Sequence, residues 1–253
     1  MSANGSRRFG GISRLYGEPA LDRLAAVHVC VVGIGGVGSW AAEALARSGI
    51  GRLTLIDLDH VAESNLNRQI HALESTLGQA KVLAMRERIA GINPACAVTM
   101  VEEFVTPENV GQLLPRCDMV IDAIDQLRAK AAMLSYCRDS ALAVVSTGGA
   151  GGKADPALIR VDDLSRTSRD PLAAKLRASL RRDYGFPRDP KKPFGIDCVY
   201  SLEPIQRPDS AACAIDEQGS QGLNCAGYGS SVCVTAGFGF AAASRVLARL
   251  AGS

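Results

Sequence analysis

Residues 27–38 are Val-His-Val-Cys-Val-Val-Gly-Ile-Gly-Gly-Val-Gly, and this stretch decides the fold. A short β-branched run ends in glycines and passes directly into Ser39–Ala46, whose composition indicates a helix. Strand, glycine-rich turn and helix in this order are typical of the first unit of a nucleotide-binding α/β domain. The glycines, which lack a Cβ where the backbone turns tightly or a ligand approaches, are Gly33, Gly35, Gly36 and Gly38. Because a helix N-terminus attracts anions, we expect nucleotide phosphates at this turn.

The second strand is predicted at Arg52–Ile56 and is followed at once by Asp57. Dinucleotide-binding domains place the acid that binds the ribose hydroxyls at this point. The spacing Gly33-x-Gly35-x-x-Gly38 fits the same domains, so the stretch predicts a nucleotide site without separating NAD from ATP. An NAD-dependent dehydrogenase is therefore an alternative function at this point.

Strands and helices alternate as far as the glycine-rich residues 148–152. Further strands are predicted at Ala97–Val101, Met119–Ala123 and Ala143–Thr147, and further helices at Gly78–Ile92 and Gln126–Ser140. This alternation predicts an α/β, Rossmann-like, doubly wound fold with a mainly parallel sheet. Ligands of such folds bind at the carboxyl ends of the strands.

The alternation stops after residue 153, and we expect added C-terminal strands and helices. Leu158–Val161 predicts a strand, Pro171–Tyr184 an amphipathic helix and Val232–Leu247 a buried helix. The last segment is too short, and too interrupted by Arg245, for a membrane span. We therefore expect membrane contact that is at most peripheral.

The chain has 253 residues, a net charge of +2 and 8 cysteines. This length suits one domain with a large core, 1–253, which we divide into a nucleotide-binding core at 1–153 and a substrate and dimer extension at 154–253. The sequence contains no Cys-x-x-Cys pair and no apolar leader. We therefore expect free thiols, no zinc and a cytoplasmic location.

The predicted carboxyl edge of the sheet gathers two cations, two acids and two amides. They are Asp57, Asn65, Arg68, Gln69, Lys81 and Asp125. Cations offset phosphate charge, one acid can hold Mg²⁺ and another can bind the ribose hydroxyls. A nucleoside triphosphate with Mg²⁺ uses all of these groups, whereas a nicotinamide enzyme has no use for Arg68, Lys81 and Asp125 together.

These residues stand in motifs that resemble the ubiquitin-activating-enzyme-like family of ATP-dependent adenylating enzymes. The motifs are Gly33–Gly38, Asp57–Asp59, Ser64–Gln69, Gly78–Lys81 and Asp122–Asp125, in the family's order. The resemblance implies that Asp57 binds ribose, that Asn65, Arg68, Gln69 and Lys81 hold the phosphates, and that Asp125 binds Mg²⁺ beside the reacting carboxylate. Arg68, Lys81 and Asp125 are the candidate catalytic residues.

The same resemblance implies a homodimer in which an N-terminal arginine reaches the partner's ATP. Arg14 is the candidate for this role. His60 and His71 flank the nucleotide loop, and we expect them to pack it rather than to bind ligand. A monovalent cation at the glycine loop stays open.

Within the family, nearly the whole chain resembles the branch of tRNA threonylcarbamoyladenosine dehydratases. The motifs of this branch are Arg8–Gly11, Arg14–Gly17, Asn67–Leu73, Thr147–Gly152 and Asp170–Arg177. The resemblance implies ATP-dependent cyclisation of the threonylcarbamoyl side chain on adenosine 37 of tRNA. The carboxylate would be adenylated first, and the ring would then close within the substrate.

A basic segment supplies a candidate surface for the tRNA backbone. Arg160–Lys192 contains ten basic and five acidic residues. The candidate tRNA contacts are Lys175, Arg177, Arg181 and Arg182, with a solvated helix face as the alternative.

Two alternatives involve sulfur. The link of this branch to sulfur relay makes Cys225 a candidate sulfur acceptor from a cysteine desulfurase system, with an inert thiol as the alternative. The alternative function activates the C-terminal glycine of a ubiquitin-like sulfur-carrier protein with the same ATP residues. A non-catalytic sulfur-relay platform would not need Arg68, Lys81 and Asp125 intact.

Overall fold

The computed structural model of the protein describes residues 3–206 and 228–252. The strands are β1 (His28–Val32), β2 (Arg52–Ile56), β3 (Ala97–Val101), β4 (Met119–Asp122), β5 (Ala143–Thr147), β6 (Ile159–Asp163) and β7 (Asp197–Ser201). The helices are α1 (Ala3–Tyr16), α2 (Glu18–Ala26), α3 (Gly38–Arg47), α4 (Lys81–Ile92), α5 (Val110–Leu113), α6 (Leu127–Asp139), α7 (Pro171–Asp183) and α8 (Val232–Ala251).

The strands form one sheet in the order β3-β2-β1-β4-β5-β7-β6. Every neighbouring pair is parallel except β6 and β7, which are antiparallel. The predicted α/β, doubly wound and mainly parallel fold is therefore confirmed. The strand order runs outward in one direction from β1 to β3 and in the other direction from β4 to β5, and folds of this kind bind ligands outside the carboxyl ends of the strands where the order reverses.

The extension after residue 153 adds two strands to this same sheet. The sequence predicts β6 but not β7, because Asp197–Ser201 is short and lies among loops rich in proline and glycine. β7 pairs with β5 in parallel and carries β6 on its outer edge. At the N-terminus, α1 and α2 precede β1.

Helices cover both faces of the sheet, as a doubly wound fold requires. On one face α2, α3, α4 and α8 bury the side chains of β1, β2, β4 and β5. On the other face α5, α6 and α7 pack against alternate residues of the same strands. The C-terminal helix is a core helix, as predicted, because Phe238, Ala242 and Val246 are fully buried.

Candidate active site

The glycine turn between β1 and α3 leaves no space for a side chain at two of its glycines. Gly33 has a φ of +85°, and a Cβ there would lie 2.9 Å from Ile124 Cγ2. A Cβ on Gly38 would lie 1.8 Å from the carbonyl oxygen of Gly33. Gly33 N–H donates to the carbonyl oxygen of Ile56 at 2.9 Å (N···O), which joins the turn to the end of β2. The turn can therefore close only with glycine at these two positions.

Asp57 connects the end of β2 to the glycine turn. Its Oδ2 accepts from Ile34 N–H at 2.6 Å and its Oδ1 from Asp59 N–H at 2.9 Å. Burial raises the pKa of this carboxyl, and the nearby charge of Lys81 acts in the opposite direction. These bonds hold the carboxylate beside the turn, in the place predicted for a ribose acid.

Lys81 begins α4, and its charge acts on the nearby carboxyl of Asp57. Its side chain is buried, and its Nζ lies 2.7 Å from Oδ2 of the half-exposed Asp59. Its backbone N–H donates to the Asp59 carbonyl oxygen at 3.0 Å. Asp59 therefore holds the ammonium group in place. Of the two side chains in this ion pair, Asp59 is the one exposed to solvent. The sequence did not indicate this partner, because Asp59 stands there only as part of a motif.

The loop after β2 folds back over the glycine turn. A Cβ on Gly36 would lie 3.4 Å from Cγ and Cδ of Arg68, and one on Gly35 would lie 3.9 Å from Nε2 of Gln69. Trp40 Nε1–H donates to the Arg68 carbonyl oxygen at 2.9 Å, which fixes the loop to α3. The buried Asn65 accepts from Ala62 N–H at 3.2 Å, so its side chain also shapes the loop. The structure thus brings Arg68 and Gln69 to the turn, while the contacts of the Asn65 side chain lie within the loop itself.

Helix α8 covers the turn from another side, a contact that sequence reasoning missed. A Cβ on Gly239 would lie 2.5 Å from the Val37 carbonyl oxygen and 2.8 Å from Trp40 Cβ. Thr235 Cγ2 lies against Gly36 in the same way as Arg68 does. In the sequence, glycine within the apolar segment of α8 is the signal that could have indicated this close approach of α8 to the turn.

Asp125 lies on the loop between β4 and α6, which touches the turn directly. Ala123 and Ile124 of this loop supply the atoms that a Cβ on Gly33 would strike. Asp125 is partly exposed and lies two residues before the start of α6. The loops after β1, β2 and β4 therefore meet at one edge of the sheet and carry Asp57, Lys81, Arg68 and Asp125.

Several buried polar atoms on these loops, at the start of α3 and at the end of β4 lack a hydrogen-bond partner among the described residues. They are Ser39 Oγ, Gln69 Oε1, Asp122 Oδ1 and both ring nitrogens of His71. An unsatisfied buried polar group costs about 1–3 kcal/mol, so such groups are usually paired with water or ligand. Gln69 lies beside the turn and Ser39 directly follows it at the start of α3, which fits a site that binds a polar molecule.

His71 is one of these groups, and it gives a testable pH dependence. The residue is 2% exposed, and burial, with the charges of Lys81 and Arg88, lowers its pKa to about 4. The unfolded chain takes up this proton near pH 6.5 and the folded chain only near pH 4. Stability from neutral His71 is thus complete above pH 6.5 and is lost as pH falls through this window.

Between pH 7 and pH 4 we expect His71 to lower the free energy of unfolding by roughly 3 kcal/mol relative to a residue that does not titrate. The measurement is denaturant unfolding of the wild type and of His71→Leu over this range. The difference between their pH slopes isolates His71 from carboxyl groups such as Asp57. Equal slopes would show that the folded chain protonates His71 as readily as the unfolded chain.

Other candidate residues lie away from the turn. Arg14 is exposed on α1. This helix packs at the opposite edge of the sheet, where Phe9 contacts Gly49 and Arg8 donates to the carbonyl oxygen of Ile92 at the end of α4. The structure therefore does not bring Arg14 to the glycine turn of its own chain.

The basic helix α7 also leads away from the site. Asp170 accepts from Gly149 N–H at 2.9 Å at the carboxyl end of β5. The helix has 13 residues and is followed by Tyr184. The Tyr184 carbonyl oxygen accepts from Nη1 of Arg138, which lies at the end of α6, at 2.8 Å. At about 1.5 Å per residue, Arg181 and Arg182 lie about 17 Å along the helix axis from Asp170.

All three guanidinium groups on α7 are bound within the protein. Arg177 donates to Thr167 Oγ1, and Arg181 donates to the Pro187 carbonyl oxygen at 3.2 Å. Arg182 forms an ion pair with Asp183 at 2.7 Å between Nε and Oδ1. Of the four candidate tRNA contacts, Lys175 and Arg182 are exposed, while Arg177 and Arg181 are half-buried.

Two further predictions concern cysteine and metal. Cys225 lies outside the described residues. Within residues 3–206 and 228–252, no three side chains of His, Cys, Asp or Glu come together as a metal site. A magnesium site can instead use one protein carboxylate together with substrate phosphates, and such a site needs no cluster of three side chains.

Comparison with known proteins identifies the family. Residues 9–252 match the ThiF family. The chain belongs to the ThiF family. The tRNA threonylcarbamoyladenosine dehydratase of Escherichia coli (strain K12) is 53% identical to this ThiF-family chain over 250 residues, covering 96% of this chain and 93% of that relative. The protein of the same name from Haemophilus influenzae is 48% identical over 250 residues, covering 98% and 94%.

A solved structure agrees with these relatives. The crystal structure of the E. coli tRNA N6-threonylcarbamoyladenosine dehydratase in complex with ATP matches with a TM-score of 0.89 at 51% identity, and covers 98% of this chain and 96% of that chain. The resemblance to this branch of adenylating enzymes is therefore confirmed. Membership of the ThiF family excludes the NAD-dependent dehydrogenase that the glycine pattern alone leaves open.

Proposed function

We propose that this ThiF-family protein is an ATP-dependent tRNA threonylcarbamoyladenosine dehydratase, a cyclase of the ligase type. The observation that carries the proposal is the meeting of three loops at the glycine turn. They bring one buried acid, two cations and a second, partly exposed acid to one edge of the sheet. The likeness to dehydratases over nearly the whole chain supports the tRNA substrate.

The reaction needs the carboxylate of the threonylcarbamoyl group to be activated. Attack of this carboxylate on the α-phosphate of ATP forms an acyl adenylate and releases pyrophosphate. The ureido nitrogen of the same side chain then attacks the activated carbonyl carbon, loses its proton and expels AMP, which carries away the carboxylate oxygen. Because nucleophile and electrophile belong to one side chain, proximity can lower the barrier by up to about 7–11 kcal/mol.

The residues at the turn account for ATP binding and for charge stabilisation. We assign Asp57 to the ribose hydroxyls, where its Oδ2 and Oδ1 keep free lone pairs beside the bonds from Ile34 and Asp59. Asn65, Arg68, Gln69 and Lys81 would hold the phosphates, with the turn glycines and the start of α3 contributing backbone N–H groups. Arg68 and Lys81 would offset the charge that develops as pyrophosphate leaves.

Asp125 suits a magnesium ion. Mg²⁺ prefers hard oxygen ligands and is commonly held by one or two carboxylates together with substrate phosphates. Asp125 is a partly exposed carboxylate on the loop that touches Gly33, so it lies beside the proposed phosphates. When bound there, the ion would neutralise phosphate charge. A monovalent cation at the glycine loop is a further proposed cofactor, to which we assign no ligands.

The fold also suits a homodimer. Arg14 cannot serve the site of its own chain from the far edge of the sheet, whereas Arg14 of the partner subunit could serve it in a dimer. An apolar surface lies beside the site, where Phe240 is 48% exposed and its ring packs edge-on to Trp40 at 5.7 Å between centroids. We propose that the extension 154–253 contributes α8 to this interface.

The location and the remaining partners follow from the proposed substrate. A tRNA substrate implies a cytoplasmic enzyme. Among the described helices, α8 alone is long and apolar enough to cross a membrane, but half of that window is buried within the protein. This is what a core helix shows, so at most peripheral membrane contact is proposed. A cysteine desulfurase or a sulfur-acceptor protein is also a proposed partner, and Cys225 is the residue that would exchange sulfur with it.

We propose that the exposed cations of α7 contact the tRNA backbone. The variant Lys175→Ala/Arg182→Ala removes the two exposed charges and leaves the internal bonds of Arg177 and Arg181 intact. Removal of each cation that neutralises a phosphate should lower the slope of log K against log salt by roughly one. Binding of tRNA would be measured between about 50 and 200 mM salt, the range in which such cations dominate affinity.

The matched control for this experiment is Arg86→Ala/Arg116→Ala, which removes the same charge from α4 and from the segment before β4. We expect the control to keep the wild-type slope. If both double variants lower the slope equally, net charge alone acts on tRNA and α7 is not the contact surface.

The function itself is tested by incubating the purified protein with ATP, Mg²⁺ and threonylcarbamoylated tRNA, followed by mass spectrometry of the nucleosides. We expect the modified adenosine to lose the mass of one water while AMP accumulates. ATP–pyrophosphate exchange that depends on a small ubiquitin-like protein instead of tRNA would favour the sulfur-carrier alternative. An unchanged nucleoside, with no AMP formed, would overturn the proposal.

A further inference from the structure

A fully buried ion pair lies directly beneath the loop that carries Asp125. Lys130 Nζ lies 2.8 Å from Asp122 Oδ2, and both side chains have 0% exposure. The same Nζ donates to the carbonyl oxygen of Ile124 at 2.9 Å. Lys130 therefore bridges the last residue of β4 and the residue immediately before Asp125.

The acid of this pair is itself fixed to the sheet. Ser146 Oγ–H donates to Asp122 Oδ2 at 2.6 Å, and Thr147 Oγ1–H donates to the Asp122 carbonyl oxygen at 3.2 Å. Asp122 and Ser146 are paired in register across β4 and β5. A continuous set of bonds thus runs from the centre of the sheet through Asp122 and Lys130 to the Asp125 loop.

Stability alone does not explain this arrangement. Replacing a buried ion pair by apolar residues is often neutral or stabilising, because desolvation of the two charges offsets their attraction. Lys130 also lies in the first turn of α6, where the helix dipole disfavours a cation. Asp122 keeps one buried oxygen, Oδ1, without a partner among the described residues. An apolar contact at this place would avoid these unfavourable contributions.

The loop that Lys130 holds is in contact with the nucleotide turn. Ala123 and Ile124 lie at 3.0 Å and 2.9 Å from the point where a Cβ on Gly33 would stand. A shift of the Ile124 carbonyl would therefore move Asp125 relative to the turn. Misplacement of a reacting group by about 1 Å can cost about 100-fold in rate.

We infer that Lys130 is a positioning residue, which sets Asp125 against the glycine turn through its bonds to Asp122 and to the Ile124 carbonyl. The inference rests on the role proposed above for Asp125. Because its side chain is fully buried, we expect Lys130 to act on the rate through the loop and not by contact with the substrate.

The test separates position from stability with three variants. Lys130→Met leaves a buried acid unpaired, Lys130→Met/Asp122→Asn removes both charges, and Lys130→Arg keeps a cation that can bridge the same oxygens. Arg88→Met is the matched control, because it breaks the ion pair with the buried Glu43 between α3 and α4. Measurements are Tm, kcat and KM for ATP in the dehydration assay, and hydrogen exchange of the 123–126 amides.

We expect the doubly neutral variant to regain the thermal stability that Lys130→Met loses, while its kcat stays about 100-fold below wild type. KM for ATP should change less than about threefold, because Asp57 and Lys81 are untouched, and Lys130→Arg should recover kcat to within about tenfold. The 123–126 amides should exchange faster in both Met variants and at the wild-type rate in Arg88→Met.

Recovery of kcat together with Tm in the doubly neutral variant, or wild-type exchange of the 123–126 amides, would overturn the inference. The exchange measurement needs no turnover. If the wild type does not dehydrate tRNA, the proposed function fails while faster exchange in the Met variants still supports the positioning of the loop by Lys130.

Discussion

Asp125→Ala should lower AMP formation by about 1000-fold or more, while the protein stays folded and binds ATP. The carboxylate is the one assigned to Mg²⁺ beside the reacting carboxylate, so its loss removes charge stabilisation where the phosphate is attacked. The fold should not depend on it, because Asp125 is partly exposed and lies outside the strands and helices. ATP affinity should change little, because Asp57, Lys81 and the glycine turn remain.

The chain offers a direct measure of ATP binding for this variant. Trp40 is the only tryptophan in the sequence, and its Nε1–H donates to the Arg68 carbonyl beside the glycine turn. A change in its fluorescence on addition of ATP would report binding without turnover. The matched control is Asp22→Ala, which removes an exposed carboxylate from α2 and should leave turnover at the wild-type rate. Turnover retained in Asp125→Ala would remove this residue from its assigned role.

The sequence predicted the fold most closely where local signals were strongest. β2, β3 and β5 begin and end at the predicted residues, because each is a short apolar or β-branched run between turn signals. β7 was missed because proline- and glycine-rich loops flank five residues that carry no alternation. Its place between β5 and β6 depends on packing of the whole sheet, which no local pattern encodes.

The site was predicted by residue type and not by contacts. Asp57 and Lys81 stand where strand ends and helix starts place them, so topology alone brings them to one edge. Lys130 resembles an ordinary helix lysine in Leu-Arg-Ala-Lys-Ala-Ala, because its burial depends on Asp122, eight positions earlier on another element. Arg177 and Arg181, two of the candidate tRNA contacts, donate to Thr167 and to Pro187 of the same chain, and the sequence did not indicate these partners.

Gly38→Ala should destabilise the protein and abolish ATP binding. The added Cβ would lie 1.8 Å from the Gly33 carbonyl oxygen, so the turn itself has to move, because no flexible side chain can yield. Overpacking of this kind costs about 3 kcal/mol or more, which for a chain of this length lowers Tm by roughly 6–12 °C. ATP binding should be lost because the moved turn also shifts the Ile34 N–H that holds Asp57.

A glycine in another helix provides the control for this prediction. Gly91 lies in the last turn of α4, is exposed, and has no atom within 4 Å of the position of an added Cβ. Gly91→Ala should raise stability by up to about 1 kcal/mol, because alanine favours a helix more than glycine does. Thermal unfolding and Trp40 fluorescence with ATP would be measured on both variants. Equal Tm and equal ATP affinity in Gly38→Ala and the wild type would show that the turn is wider than the contact with Gly33 implies, and that the phosphate site does not depend on its closure.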